Sequence, residues 1–149
     1  MIALAWEGDW SVTQSFADNP AFYKNFGLAG HEGVDIAMPE GTRLRSVGSL
    51  LVVEVGTNPL AAYGYYVKAR SAQGEDFVWA HLLPYDLPRP NTYKLAGEQV
   101  GWSGNTGRST GPHLHMGYRP HWWVRGGPYD GYHDPLSHIG VEGWDDTPF

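Results

Sequence analysis

The sequence has no cysteine among its 149 residues. That excludes a disulfide framework and any metal site built on thiolates, and it leaves the redox compartment open. It has no run of 18 apolar residues, so no helical membrane span is expected. Positive charge is scarce: ten lysines and arginines stand against sixteen acidic residues, a net charge of −6. A nucleic-acid module should show a basic face, and this balance argues against one. Internal repeats and low-complexity tracts are missing too. The twenty glycines and eleven prolines are many, but they punctuate apolar segments. Met1-Ile2-Ala3-Leu4-Ala5 is too short for a signal peptide and soon meets Glu7 and Asp9. At this length one core in one domain is expected, and the chain reads as a monomer.

What is present is mostly β pattern. Arg43 to Val47 and Leu50 to Val55 read as strands flanking a Gly48-Ser49 turn. Tyr63 to Arg70 and Asp76 to Leu82 read as a hairpin around Ser71 to Glu75, with Phe77, Trp79 and His81 alternating onto one face. Gln99 to Trp102 is a short strand before a glycine-rich loop. No long segment has a 3.6-residue period. The expected fold is mainly β: a single-domain antiparallel sheet whose loops form a groove over a metal site. The division expected is residues 1–23 as an N-terminal wrapping segment, 24–120 as the catalytic core, and 121–149 as a Trp/Gly/Pro-rich C-terminal segment of the same domain.

Five polar residues carry the chemistry. His31 and Asp35 lie in Gly30-His31-Glu32-Gly33-Val34-Asp35, His81 in Trp79-Ala80-His81-Leu82, and His113 and His115 in Gly111-Pro112-His113-Leu114-His115. The apolar run from Gly33 to Met38 stops at Pro39-Glu40-Gly41 and reads as a strand. Residues two apart share a strand face. His31, Gly33 and Asp35 then point one way, with Gly33 leaving room for an ion between two ligands, while Glu32 points the other way. His113 and His115 share a face if their segment is extended, with Leu114 and Met116 turned to the core. Two neighbouring strands thus aim four polar groups at one point. His31, Asp35 and His115 form a His₂Asp set, and three protein ligands leave the fourth position of a catalytic zinc open. His81 and His113 remain as acid/base candidates, since imidazole titrates near working pH.

With these motifs in order, the chain resembles the lysostaphin-type (LytM-domain) zinc endopeptidases that cut peptidoglycan cross-bridges. Their pattern is His-x-x-x-Asp, then aromatic-x-His-Leu, then a glycine-rich loop ending in His-Leu-His, here preceded by Gly101 to Pro112. The resemblance covers residues 24 to 120 and Asp134-Pro135-Leu136. It implies one Zn²⁺ per chain held by His31, Asp35 and His115, with His81 and His113 catalytic. It implies a substrate of peptidoglycan stem peptides or cross-bridges and action at the bacterial cell wall. With no signal peptide read, that fits a phage lysis or virion enzyme, or a processed secreted protein. Met116 and Gly117 depart from the family pattern, and residues 126–132 read as an added loop. Glycine bridges and D-alanyl cross-links are both cut in this family. The acidic charge and the lack of a recognisable wall-binding module favour the direct cross-link.

Weaker candidates surround this set. Asn105, Arg108, Ser109, Thr110 and Trp102 are candidate substrate contacts, Arg108 toward a carboxylate. Trp102, Tyr65, Trp122 and Trp123 are candidate groove walls, with core packing as the rival reading. His121, His133 and His138 sit among Trp, Gly and Pro and read as surface histidines. Glycines 104, 107 and 111 read as turns with positive φ. No Gly-Lys-Ser/Thr follows the glycine loop, so a phosphate cradle is excluded. Two other functions stay open. One is a non-catalytic relative that binds and activates another wall hydrolase, disfavoured by the five intact positions. The other is a helical His-Glu-x-x-His-like peptidase, acting on a non-wall peptide, with Glu32 as base. Gly33 and Pro39 disfavour that helix.

Overall fold

A computed structural model describes residue 6 and residues 8–139 of the chain. The expectations for residues 1–5 and 140–149 lie outside the described residues. Nine strands run in the order β1 (Ser11–Gln14), β2 (Val34–Ala37), β3 (Arg43–Arg45), β4 (Leu50–Thr57), β5 (Tyr65–Ser71), β6 (Asp76–Leu82), β7 (Tyr93–Lys94), β8 (Gln99–Trp102) and β9 (His113–Arg119). Seven of them form one antiparallel sheet in the order β1-β2-β9-β6-β5-β4-β7, and β3 pairs with β8 in a second, two-stranded sheet. The antiparallel β expectation holds.

The hairpin expected around Ser71 to Glu75 is β5 and β6. The strands on either side of Gly48-Ser49 separate into different sheets, because Leu44 pairs with Gly101 rather than with β4. Residues 8–23 do more than wrap. They supply edge strand β1 and a short helix α1 (Pro20–Tyr23), which runs on into a 3₁₀ turn, Lys24–Phe26. Trp6 is fully buried against the main core.

The sheet has one face on the core and one toward the site. Val34 and Ile36 of β2, Phe77 and Trp79 of β6, and Leu114 and Met116 of β9 all join the main cluster. Their burial removes large apolar area from water, each side chain contributing about 1.5–3 kcal/mol. Alternation then forces Asp35, His113 and His115 to the opposite face. Register completes the placement: Asp35 pairs with His115 and Ala37 with His113. Past β9, Asp134 caps the 3₁₀ turn Pro135–Ser137 by accepting from Leu136 N–H at 3.1 Å, and Leu136 packs on the core.

Candidate metal centre and catalytic cleft

Three ligand-type atoms converge on the site face. His31 Nε2 lies 3.0 Å from His115 Nδ1 and 3.2 Å from Asp35 Oδ1, and His115 Nδ1 lies 3.1 Å from the same oxygen. His31 precedes β2 rather than lying on it, so strand alternation does not aim it. A backbone clamp does: its N–H donates to Asp18 O at 2.9 Å and its carbonyl accepts from Ala17 N–H at 2.8 Å. Its Nδ1–H donates to Ser15 O at 3.2 Å, which leaves the lone pair on Nε2 facing the cluster. Asp35 carries its charge here. Burial works to raise its pKa, but hydrogen bonds and charge from His115 and His31 outweigh it and hold the carboxyl well below its usual range.

These donors fit a metal. Bonds of about 2.0–2.2 Å in a tetrahedron set ligand atoms about 3.3–3.6 Å apart, close to the observed triangle. Two imidazoles and one carboxylate, with His31 and His115 buried, form the only group of metal-ligating side chains of this kind among the described residues. Gly33 makes the triangle possible in an unexpected way. A Cβ there would stand 2.5 Å from Met116 O and 2.7–2.8 Å from the His115 ring. The space at Gly33 is therefore filled by the His115 imidazole, not reserved for an ion.

His81 reaches the site by a break in its strand. Phe77 and Trp79 face the core, and simple alternation would send His81 there too. Instead His81 has φ +63°, and the β5–β6 register slips by one residue between Val67↔Trp79 and Tyr65↔Leu82. This bulge turns His81 to the cleft and returns Leu82 to the core. The expected shared face of Phe77, Trp79 and His81 therefore does not hold. His81 Nδ1–H donates to Thr106 O at 2.7 Å, leaving Nε2 as its free nitrogen. Its ring lies 4.6 Å from that of His113 and 6.1 Å from that of His115. Burial, then the neighbouring His113 and His115, push its pKa down to about 4.

His113 is oriented by the glycine loop. Its Nδ1–H points at Gly111 O, 2.8 Å away, with Ser109 Oγ at 3.0 Å, and its Nε2 lies 3.7 Å from Asp35 Oδ1. Asn105 Oδ1 in turn accepts from Ser109. The loop is seated by a backbone contact of Gly107, at φ +78°, on Gly64, where a Cβ would stand 2.4 Å from Gly64 N. Of the three glycines read as left-handed, only Gly107 has positive φ. Gly104 is needed for close approach to His81 O, and Gly111 has open space.

The five residues line a cleft of about 540 Å³. Arg108, Ser109 and Thr110 line it as well, whereas Asn105 and Trp102 do not. Trp102 Nε1–H donates to Asp86 on the outer surface. The aromatic wall is not Tyr65, Trp122 or Trp123. Phe22, Tyr23 and Phe26 form it on one side, with the Arg108 guanidinium 4.6 Å above the Phe26 ring, and Tyr63 and Tyr66 form it on another. The spacing of Phe22, Tyr23 and Phe26 was a readable helical-turn signal in the sequence. Glu32 also lines the cleft, contrary to the alternation argument, because β2 begins only at Val34. His121 and His133 are exposed around Trp122, and His138 stacks on Tyr118 at 4.2 Å, so none of these joins the site.

The chain is similar to known proteins. The chain is 39% identical over 85 residues to the DD-carboxypeptidase/endopeptidase Mpg of Neisseria meningitidis, covering 57% of this chain and 19% of that protein. It is 34% identical over 110 residues to the peptidoglycan DD-endopeptidase ShyA of Vibrio cholerae, covering 73% of this chain and 25% of that one. The chain thus spans a quarter or less of the length of these relatives. Among solved structures, the catalytic domain of lysostaphin from Staphylococcus simulans superposes with a TM-score of 0.68 at 27% identity, over 85% of this chain and 90% of that one. The sequence pattern of peptidase family M23 matches residues 29–130, a span that holds all five convergent histidine and aspartate positions and most of the sheet that aims them, and the chain belongs to that family.

Proposed function

We propose that this chain is a zinc-dependent endopeptidase that hydrolyses peptide cross-links of bacterial cell-wall peptidoglycan. One observation carries the reading: a His31–Asp35–His115 triangle with edges of 3.0–3.2 Å, with the His81 and His113 rings beside it in one cleft. Zinc, one per chain, would be held by those three residues. When bound it supplies a polarised scissile carbonyl and a water acidic enough to attack near neutral pH. His81 and His113 each have Nδ1 committed to a backbone carbonyl, so each presents Nε2 to the substrate. One accepts the proton of the attacking water, and the pair stabilises the oxyanion and protonates the leaving amine. Arg108, Ser109 and Thr110 are the cleft groups that would position the peptide, Arg108 by its charge against a carboxylate. Asn105 supports this set through Ser109.

Mpg and ShyA are both named as DD-endopeptidases. Their names and the net charge of −6 favour a D-alanyl cross-link over a glycine bridge. The site of action would be the cell wall, and the chain would act as a monomer. Residues 24–120 would be the catalytic core, with the described residues of the flanking segments packed onto it.

The test is mass spectrometry of fragments from purified peptidoglycans of both bridge types, treated with zinc-loaded protein. New fragments with a free amine at a cross-link are expected from the directly linked wall. Intact cross-links in both walls, with zinc bound, would overturn the reading.

A further inference from the structure

Two buried polar atoms next to the metal triangle have no hydrogen-bond partner among the described residues: His115 Nε2 and Glu32 Oε2. The first is a donor. His115 turns Nδ1 toward His31 and Asp35, so its ring proton sits on Nε2 whenever Nδ1 gives its lone pair to a metal. The second is a carboxylate oxygen, an acceptor. A donor and an acceptor, each buried and each unsatisfied, cost about 1–3 kcal/mol apiece if left so.

They belong to one neighbourhood. The His115 Nε2 edge lies 2.8 Å from the position a Cβ on Gly33 would take, and Glu32 is the next residue along that backbone. The Tyr63 ring covers the His115 ring at 5.2 Å, and the Tyr63 hydroxyl donates to Glu32 Oε1 at 3.2 Å. Thus the side chain packed on the metal ligand also holds the carboxylate. Tyr63 also packs against the buried cluster that holds Tyr132. Tyr132 is buried beneath the Arg119 guanidinium, 4.2 Å from its ring, and Arg119 pairs with Asp130 at 2.8 Å. The segment after β9 is therefore tied to the metal site, although its sequence reads as an insertion remote from it. Pro128 O, accepting from Ala29 N–H at 2.9 Å, ties the same segment to the approach of His31.

We propose that Glu32 is a positioning residue for the metal ligand His115. Its carboxylate is the acceptor available to the His115 Nε2–H, and Tyr63 holds that carboxylate in place. The arrangement is a carboxylate–histidine–metal relay. Such an outer partner orients the imidazole and raises its basicity, and losing it costs about 10–100-fold in metal affinity. This inference rests on the zinc reading above.

The experiment measures Zn²⁺ dissociation constants of the full chain by chelator competition, for the wild type and for Glu32→Ala, Glu32→Gln and Tyr63→Phe. The visible d–d spectrum of the Co²⁺-substituted proteins and the metal-free thermal midpoints are recorded in parallel. Glu32→Ala is expected to weaken zinc binding about 10–100-fold. Glu32→Gln, which keeps an acceptor but loses the charge, is expected to fall in between, and Tyr63→Phe to shift in the same direction. The Co²⁺ bands should move in each variant while metal-free midpoints stay put. Should Glu32→Ala not fold, the two isosteric variants carry the test. Wild-type zinc affinity and an unchanged Co²⁺ spectrum in Glu32→Gln and Tyr63→Phe would overturn the relay. So would a fall in metal-free stability that accounts for the whole loss. A wild-type chain that takes up no zinc would instead remove the zinc reading itself.

Discussion

His31 Nε2 and His115 Nδ1 stand 3.0 Å apart although 84 residues separate them in the chain. Two imidazole nitrogens at that distance, each also within 3.2 Å of a carboxylate oxygen, form a donor set that could hold a divalent cation. Protein purified without chelator is therefore expected to carry near-stoichiometric zinc by elemental analysis. His31→Ala and His115→Ala should lose it, and Asp35→Asn should bind it more weakly by removing the anionic ligand. Full zinc content in all three variants would rule the triangle out as the metal site.

The two histidines proposed as catalytic should separate from those proposed as ligands. His113→Ala is expected to keep zinc and lose activity by about 10²-fold or more, the usual scale for a proton-transfer group. His81 needs a more careful variant, because its φ of +63° is a conformation that Asn tolerates better than Ala. His81→Asn should keep zinc and fold while losing a similar factor. His81→Ala should melt lower than His81→Asn, by about 1 kcal/mol in unfolding free energy. Equal unfolding midpoints in denaturant would show that the left-handed residue bears no strain.

Gly33 is a packing requirement of the His115 ring. In Gly33→Ala the new methyl group meets Met116 O and the His115 ring at 2.5–2.8 Å. One of these must move, and the cost is about 1–3 kcal/mol. Loss of stability and of zinc affinity together is expected, measured by thermal unfolding and chelator competition. Retention of wild-type zinc affinity would mean the His115 ring can relax without leaving the site.

The metal-free protein should be acid-sensitive through His81. Burial lowers its folded pKa from 6.5 to about 4. Between those values the unfolded chain takes up a proton that the folded chain refuses. Stability is thus fully present above pH 6.5 and declines as pH falls toward 4. Burial also lowers His138, so some acid slope remains when His81 is removed. Denaturant midpoints of the metal-free chain across that window should fall less steeply in His81→Asn than in the wild type. Parallel profiles would place the acid response elsewhere.

Much of the site was legible in the residues. The ladder Val34, Ile36 against Asp35, and Leu114, Met116 against His113, His115, follows a period of two, and the buried face leaves no other register. The glycine loop was legible as irregular, and Gly107 as left-handed. The same logic went astray where a strand was not regular. His81 sits at a bulge and Glu32 precedes β2, so counting by twos misdirects both, whereas His31 reaches Asp35 as expected but through its backbone clamp rather than through strand alternation. The aromatic wall was sought among Trp102, Tyr65, Trp122 and Trp123, but the protein builds it from Phe22, Tyr23, Phe26, Tyr63 and Tyr66, and the approach of Arg108 to Phe26 is a tertiary contact.

The sequence by itself determined the donor set and the strand pattern. A metal site needs particular side chains, and a half-buried strand needs alternation, so both leave local marks. The tertiary structure alone decided which nitrogen of each imidazole faces the cluster, that His115 fills the space over Gly33, and that Tyr63 bridges His115 to Glu32. Those outcomes depend on distances between backbones far apart in the chain. Only sheet pairing and the close packing of the interior set such distances.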